Sequence, residues 1–489
     1  MSKPIVIIGA GLGGLSAAIH LRAKGFKVEL YEQNPLPGGR ANRISTDGFS
    51  FDTGPSLINY PWVFEDLFAA SGADMHRYLT LKPLDPSVVF FWRDGDRLAL
   101  SADFQTLAAE LERFEDGAHA KLTLFLAETQ RRFHYLFRHL VTSNARTILE
   151  WIAPAPKGEL VRLGLHRSLD RELARFFRSE RLRAALGSYA MYLGGSPYEL
   201  PGTFSILPFG ELYYGLWYPE GGIYSLVEAV CRRAEEIGVR IHSNCPVRAI
   251  WVDGSCVNGI ELADGRVIEA SIVISNVDVP TTHELLLGQS YPQRRWRMTP
   301  GVITFYWGIR GQSSTMHHHC IFLPDVPRRA YRQLQRQLPD DLPFYLSMPS
   351  RSDPSVAPPG SSTAFVLVPV PTLSAAGTAF DWEKAVEQAR FEVLRRLEHH
   401  GFSITPSDIV VEHVWTPHQW RKHFGLHDGS AFGAVHTLTN IGPLRWHPRD
   451  RKYQGLYYVG ASTTPGTGLP MVTLSGKMVA DMIAANVCG

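Results

Sequence analysis

Ile5-Val6-Ile7-Ile8-Gly9-Ala10-Gly11-Leu12-Gly13-Gly14 is the stretch that decides the fold. Ile5 to Ile8 is a β-branched run of the kind buried in a parallel sheet. It feeds directly into G-x-G-x-x-G at Gly9, Gly11 and Gly14, after which Leu15, Ala18, Ile19 and Leu21 recur at helical spacing up to Gly25. Lys27 to Tyr31 reads as a second strand, and Glu32 stands 23 residues after Gly9. Each part has a mechanical reason. Gly9 permits the tight turn, Gly11 lets the backbone approach a pyrophosphate, and Gly14 lets the helix close on the strand. The helix start offers free N–H groups to an anion, and Glu32 accepts from a ribose hydroxyl. Leu12 and Gly13 at that helix start, and Gln33 beside the acid, complete the candidate set. A lone glycine motif is an ordinary turn; strand, helix, second strand and acid in order make a dinucleotide site. The carboxylate favours an unphosphorylated ribose, as in FAD or NAD, over NADP.

Pro37-Gly38-Gly39-Arg40 follows the second strand, and Phe51-Asp52-Thr53-Gly54-Pro55-Ser56 closes the unit. This block resembles the flavoproteins with two dinucleotide-binding domains, which include amine oxidases, protoporphyrinogen oxidases, carotenoid desaturases and Rab GDP-dissociation inhibitors. The resemblance implies FAD, with the Gly-Gly-Arg turn against its diphosphate and flavin and with Pro55 and Ser56 in the binding set. The chemistry agrees, since Gly38 and Gly39 present backbone donors and Arg40 a fork of donors to an anion.

Near the other end, the strand Leu456-Tyr457-Tyr458-Val459 runs into Gly460-Ala461-Ser462-Thr463-Thr464-Pro465-Gly466-Thr467-Gly468-Leu469-Pro470-Met471-Val472. A helix is predicted from about Thr473 to Asn486. The pattern is similar to the C-terminal signature of phytoene-type carotenoid desaturases, V-G-A-x-T-x-P-G-x-G-x-P. The resemblance implies that Gly460, Gly468, Leu469, Pro470, Met471 and Val472 line the cofactor, with Met471 and Val472 lending N–H groups to the flavin. Many family members carry a small residue where this chain has Met471, which keeps oxygenation open beside desaturation.

A third block lies between. Trp217-Tyr218-Pro219-Glu220-Gly221-Gly222 precedes a helical pattern to Ile237, then strands at Val239–His242 and Val247–Ile250. A hairpin from Val257 to Val267 turns on Asp264-Gly265, and Ile272 to Asn276 forms a last strand near Asp278. The family's second FAD-domain segment is similar, and there Val247 would meet the adenosine end through its backbone. The three blocks predict an α/β protein. Its discontinuous Rossmann-like FAD-binding domain comprises 1–70, 217–290 and 440–489. An interleaved α+β substrate-binding domain comprises 71–216 and 291–439, with membrane-associating helices in 120–190.

The composition sets bounds. In 489 residues, 49 Lys and Arg stand against 47 Asp and Glu, so a +2 charge gives no global pull toward nucleic acid. Locally, Arg131 to Arg183 carries 12 basic against 5 acidic residues, interleaved with Phe133, Tyr135, Phe137, Trp151 and other apolar side chains. A basic, aromatic, amphipathic stretch reads as a membrane-surface binder or as a solvated helical face over core. Pro4 to Leu21 lacks formal charge, but its four glycines argue against a signal peptide or spanning helix. Five scattered cysteines without a C-x-x-C pair point to a reducing compartment. His317-His318-His319-Cys320 invites a metal reading, yet strand alternation puts only His317 and His319 on one face, and no metal is assigned. Neither G-x-S-x-G nor H-E-x-x-H occurs.

The resemblance implies an FAD-dependent desaturase of a long acyclic isoprenoid, such as phytoene or diapophytoene. Hydride leaves to flavin N5 and a proton is lost, with quinone or oxygen as final acceptor. Arg146, Glu150 and His319 are the candidate catalytic residues. A cytoplasmic protein held peripherally at a membrane is expected. Carotenoid oxygenation and amine oxidation are the competing activities on this fold, and a flavin-free prenyl carrier of the GDP-dissociation-inhibitor type is the competing class.

Overall fold

The computed structural model describes residues 3–154, 158, 162–290, 296–311 and 316–488. Part of the basic stretch, residues 155–157 and 159–161, therefore lies outside the described residues.

Strand β1 (Ile5–Ile8) is buried along its whole length and pairs in parallel with β2 (Val28–Tyr31) on one side and Val273–Ser275 on the other. Arg240–His242 and Leu456–Tyr458 extend the sheet at its two edges, making five parallel strands. Continuous apolar runs suit strands covered on both faces. Helix α1 (Leu12–Ala23) crosses from β1 to β2 and ends at Lys24, with Gly25 at φ +87° and the Phe26 N–H returned to the Leu21 carbonyl.

The C-terminal helix spans Leu469–Cys488, so it begins four residues before the predicted start at Thr473. Pro470 sits in its first turn, where the missing N–H costs nothing, and the sequence pattern alone hid this. This helix packs along α1: Ser16 Oγ donates to the Thr473 carbonyl at 2.7 Å.

The second layer is a seven-stranded, largely antiparallel sheet with one parallel pair, Val89–Phe91 beside Cys320–Phe322. Its strands alternate strictly. Cys320, Phe322, Phe344, Leu346 and Val366 pack toward Ala385, Ala389, Val393 and Leu397 of the helix Trp382–His399. Ile321, Tyr345, Phe365 and Leu367 point the other way, into a cavity.

The basic stretch turns part of its apolar residues inward. Phe133, Phe177 and Leu182 are core residues, while Arg131, Arg138, Arg146, Ile148 and Leu149 are exposed. Several of its charges are paired. Arg132 bonds buried Glu172 at 2.8 Å, Arg175 bonds Glu128 and Glu172 at 2.6 Å, and Arg181 pairs with Asp94 and Asp96. Glu172 belongs to the stretch itself and Glu128 stands just before it, while Asp94 and Asp96 come from a distant turn. Among the described residues no helix is long and apolar enough to cross a membrane.

Candidate active site

One cavity of about 970 Å³ lies between the two layers. Both α1 and the C-terminal helix begin on it, through Leu12 and Gly13 and through Leu469 to Val472. Two helix N-termini aimed at one space concentrate unpaired N–H groups and positive potential there.

The turns that form this end are held by Asn276, at the end of Val273–Ser275. A Cβ on Gly11 would stand 2.6 Å from Asn276 Nδ2, and one on Gly13 or Gly460 would stand 2.8 Å from Asn276 Oδ1. The same side chain donates to the Gly9 carbonyl at 3.3 Å. A side chain at any of these three positions would crowd Asn276, a residue that the G-x-G-x-x-G pattern does not reveal. Gly38 and Gly39 adopt φ +118° and +58°, and the Gly38 N–H donates to the Ala10 carbonyl, tying the Gly-Gly-Arg turn to the first one.

Arg40 reaches the cavity while its guanidinium holds Asp278 Oδ1 at 2.9 Å. Asp278 is buried and also accepts the His427 N–H at 3.3 Å, so Arg40 is fixed in direction with part of its fork still free. At the opposite end of the candidate set, Glu32 Oε2 accepts from the Ala10 N–H at 2.8 Å and Oε1 from the Asn34 N–H at 2.9 Å. Burial pushes its carboxyl up, against these hydrogen bonds. Gln33 Nε2 donates to the His423 carbonyl, and half-buried Val247 opens the strand that follows Cys245, whose N–H donates to the Glu32 carbonyl.

Gly11, Leu12, Gly13, Gly38, Gly39, Arg40, Pro55, Ser56, Gly460, Gly468, Leu469, Pro470, Met471 and Val472 all line the cavity; Gly9, Gly14, Glu32, Gln33 and Val247 lie beyond its lining. One implied role changes. The Val472 N–H already bonds the Gly468 carbonyl at 2.9 Å, so the free donors of that first turn are those of Leu469 and Met471. Gly468, at φ +107°, has open space where a side chain would project.

The three candidate catalytic residues are not brought together. Arg146 and Glu150 are exposed, outside the cavity lining, and the Arg146 N–H donates to Glu150 Oε2 at 2.9 Å. His319 is fully buried behind the wall: its Nδ1 meets the Tyr345 hydroxyl at 2.6 Å, and that hydroxyl meets Ser56 Oγ at 2.6 Å. Burial and neighbouring His318 hold its imidazole well below the usual range, hence neutral. Among the described residues no three His, Cys, Asp or Glu side chains converge as a metal site.

Glu32, the Arg40 guanidinium and the N–H groups of Leu469 and Met471 form a donor and acceptor set that fits FAD. Beyond the cofactor turns the walls become apolar, through Leu136, Phe137, Leu140 and Trp151 on one side and Ile321, Phe365 and Leu367 on the other.

Such a site defines a flavin-dependent oxidoreductase, and the chain belongs to the flavin containing amine oxidoreductase family, whose description matches residues 12–484. Within it, the chain is 37% identical to a zeta-carotene-forming phytoene desaturase of Myxococcus xanthus, over 98% of this chain and 94% of that one. It is 33% identical to a 4,4'-diapolycopene oxygenase of Methylomonas sp, over 99% of each chain. An oxidoreductase from Methanosarcina mazei shares the fold at a TM-score of 0.64 and 17% identity, covering 98% of this chain and 100% of that one.

Proposed function

We propose that this protein is an FAD-dependent desaturase of a long acyclic isoprenoid of the phytoene type. The observation that carries this reading is the cavity, in which cofactor-holding turns and an extended apolar wall bound one space. A polyene needs little polar recognition, so its carbons are held by shape and by exclusion of water. FAD, when bound, supplies the two-electron oxidant that takes a hydride. Glu32, Arg40 with Asp278, and the N–H groups of Leu469 and Met471 would hold it. Ile321, Phe365 and Leu367 of the sheet face would orient the chain of the substrate. Residues 1–70, 217–290 and 440–489 would carry the cofactor, and 71–216 with 291–439 the substrate.

A membrane-docking face accords with the surface beside Trp151. Trp151 and Gly442 line the cavity in close contact, and next to them Ile148, Leu149, Leu438 and Leu444 are exposed, Leu149 at 77%. An apolar patch at the rim of an apolar cavity gives a bilayer-dissolved substrate a short path.

Expression in cells that accumulate phytoene, followed by pigment extraction, tests the activity: conjugated polyenes are expected. Conversion of an amine with no change in any polyene overturns the reading. Met471 at the start of the C-terminal helix and the diapolycopene oxygenase relative favour oxygenation as the second reading, which the same extraction reports as aldehydes or ketones.

A further inference from the structure

We propose that Tyr192 and Glu211 form the proton exit of this site: Tyr192 meets the substrate at the cavity wall, and Glu211 behind it takes up the proton that the new double bond releases. The inference rests on the desaturase reading above.

Glu211 lies on the helix Ile206–Tyr214 and is 2% exposed. Its carboxylate accepts from Ser87 Oγ at 2.8 Å and from the Tyr192 hydroxyl at 3.4 Å. Tyr192 lines the cavity and Glu211 does not, so the phenol is the link between them. The groups facing Glu211 are neutral: Ser87, Tyr189 and Tyr192 of the turn Ser188–Leu193, Tyr60, and Tyr345 of the strand Phe344–Ser347. Tyr345 in turn touches Ser56, which connects this wall to the cofactor turns.

The carboxylates that line the cavity are already engaged. Asp278 holds Arg40, Glu199 holds Arg297, Glu284 lies 3.6 Å from His427, and Asp428 holds the Ser374 hydroxyl. Glu211 has no cation against it among the described residues, and burial pushes its carboxyl up to about 7, opposed only in part by its hydrogen bonds. An acid poised near neutrality both accepts and returns a proton readily. As the carboxylate, it also favours positive charge developing on a polyene held against Tyr192.

The step balances. The C–H bond next to the carbon that loses hydride breaks, and its electron pair becomes the new C=C bond. The proton passes to Tyr192 Oη as the proton of Tyr192 passes to the Glu211 carboxylate, while the hydride carries two electrons to the flavin oxidant of the proposed activity. Tyr192 is the catalytic residue here, and Glu211 acts through it.

The test compares FAD-loaded wild type with Glu211→Gln, Tyr192→Phe and Ser87→Ala, following anaerobic bleaching of the flavin by phytoene in detergent from pH 5.5 to 9. Wild type is expected to slow below about pH 7, where the carboxyl is protonated. E211Q and Y192F should lose about 100-fold or more in rate while retaining bound FAD, and E211Q should lose the inflection. S87A keeps the carboxyl but removes a donor, so its inflection should move to higher pH. Infrared titration of the protein without substrate gives a second readout: a protonated-carboxyl band disappearing near pH 7 in wild type and absent from E211Q. A wild type that phytoene bleaches, with E211Q and Y192F within about twofold of it, overturns the proton exit. Should E211Q fail to fold, an unmoved S87A inflection overturns it equally. A wild type that no acyclic carotene bleaches overturns the functional reading instead, and the infrared band then reports on Glu211 alone.

Discussion

Gly476 faces Ala17 across the contact between the C-terminal helix and α1, and a Cβ at position 476 would stand 2.5 Å from the Ala17 amide nitrogen. It would also press on the Gly13 carbonyl at 2.6 Å, so the two helix starts share the cavity because nothing projects between them. Gly476→Val should wedge the helices apart, cost about 1–3 kcal/mol and weaken FAD retention. Thermal melting and flavin release on gel filtration check both; a variant that melts and holds flavin like wild type removes this account of the helix contact.

Arg40 and Asp278 give a second expectation. Arg40→Met leaves the buried Asp278 carboxylate without its cation, which should destabilise the protein by about 3 kcal/mol as well as weaken FAD. The double variant Arg40→Met/Asp278→Asn should recover most of the stability and none of the FAD affinity. Chemical denaturation beside flavin titration separates the two effects.

Glu211 makes stability fall with rising pH. Its folded carboxyl holds its proton up to about 7, above the unfolded value near 4.5, so the folded state binds the extra proton between these two limits. The contribution is fully present below about pH 4.5, is lost as pH rises to about 7, and amounts to about 3 kcal/mol. Measured as the difference from E211Q in urea denaturation, wild type should lose ground between pH 5 and pH 8. A flat difference contradicts the shift.

The rim patch gives the fourth expectation. Leu149→Glu and Ile148→Glu alter exposed side chains, so melting temperature and flavin content should stay as in wild type. Co-sedimentation with phospholipid vesicles should drop several-fold. Unchanged vesicle binding counts against docking through this face.

The local signals of the sheet were legible because each is short-range. Ile5–Ile8, the glycine turn and Glu32 lie within one continuous segment, and the apolar run of β1 leaves little choice of strand. Fold class, cofactor and family follow from those residues and the C-terminal turn. The last helix starts earlier than its pattern indicates, because Gly468-Leu469-Pro470 looks like a turn until Pro470 is placed in the first helical turn, where it is tolerated. Asn276 and Asp278 were visible only as the end of a strand; what they do depends on Gly13, Gly460 and Arg40, hundreds of positions away in the chain. Glu211 carried no signal at all. A single acid in Pro208-Phe209-Gly210-Glu211-Leu212 looks like any helical carboxylate until Ser87 and Tyr192 close over it. In the basic stretch, part of the charge is answered by acids that the sequence does not place beside it: Asp94 and Asp96, which pair with Arg181, come from a distant turn.

The edge strand Leu456–Tyr458 and the helix start at Leu469 have a consequence for biosynthesis. A chain emerging from the ribosome exposes β1 and its glycine turn hundreds of residues before the segment that Asn276 clamps against them through Gly460. Until then the turn has no opposite wall, and the apolar sheet edge at Val273–Ser275 lacks its neighbour. Cofactor capture therefore waits for the Leu456–Val472 segment, and the incomplete sheet must be kept from pairing with other chains until that strand is made.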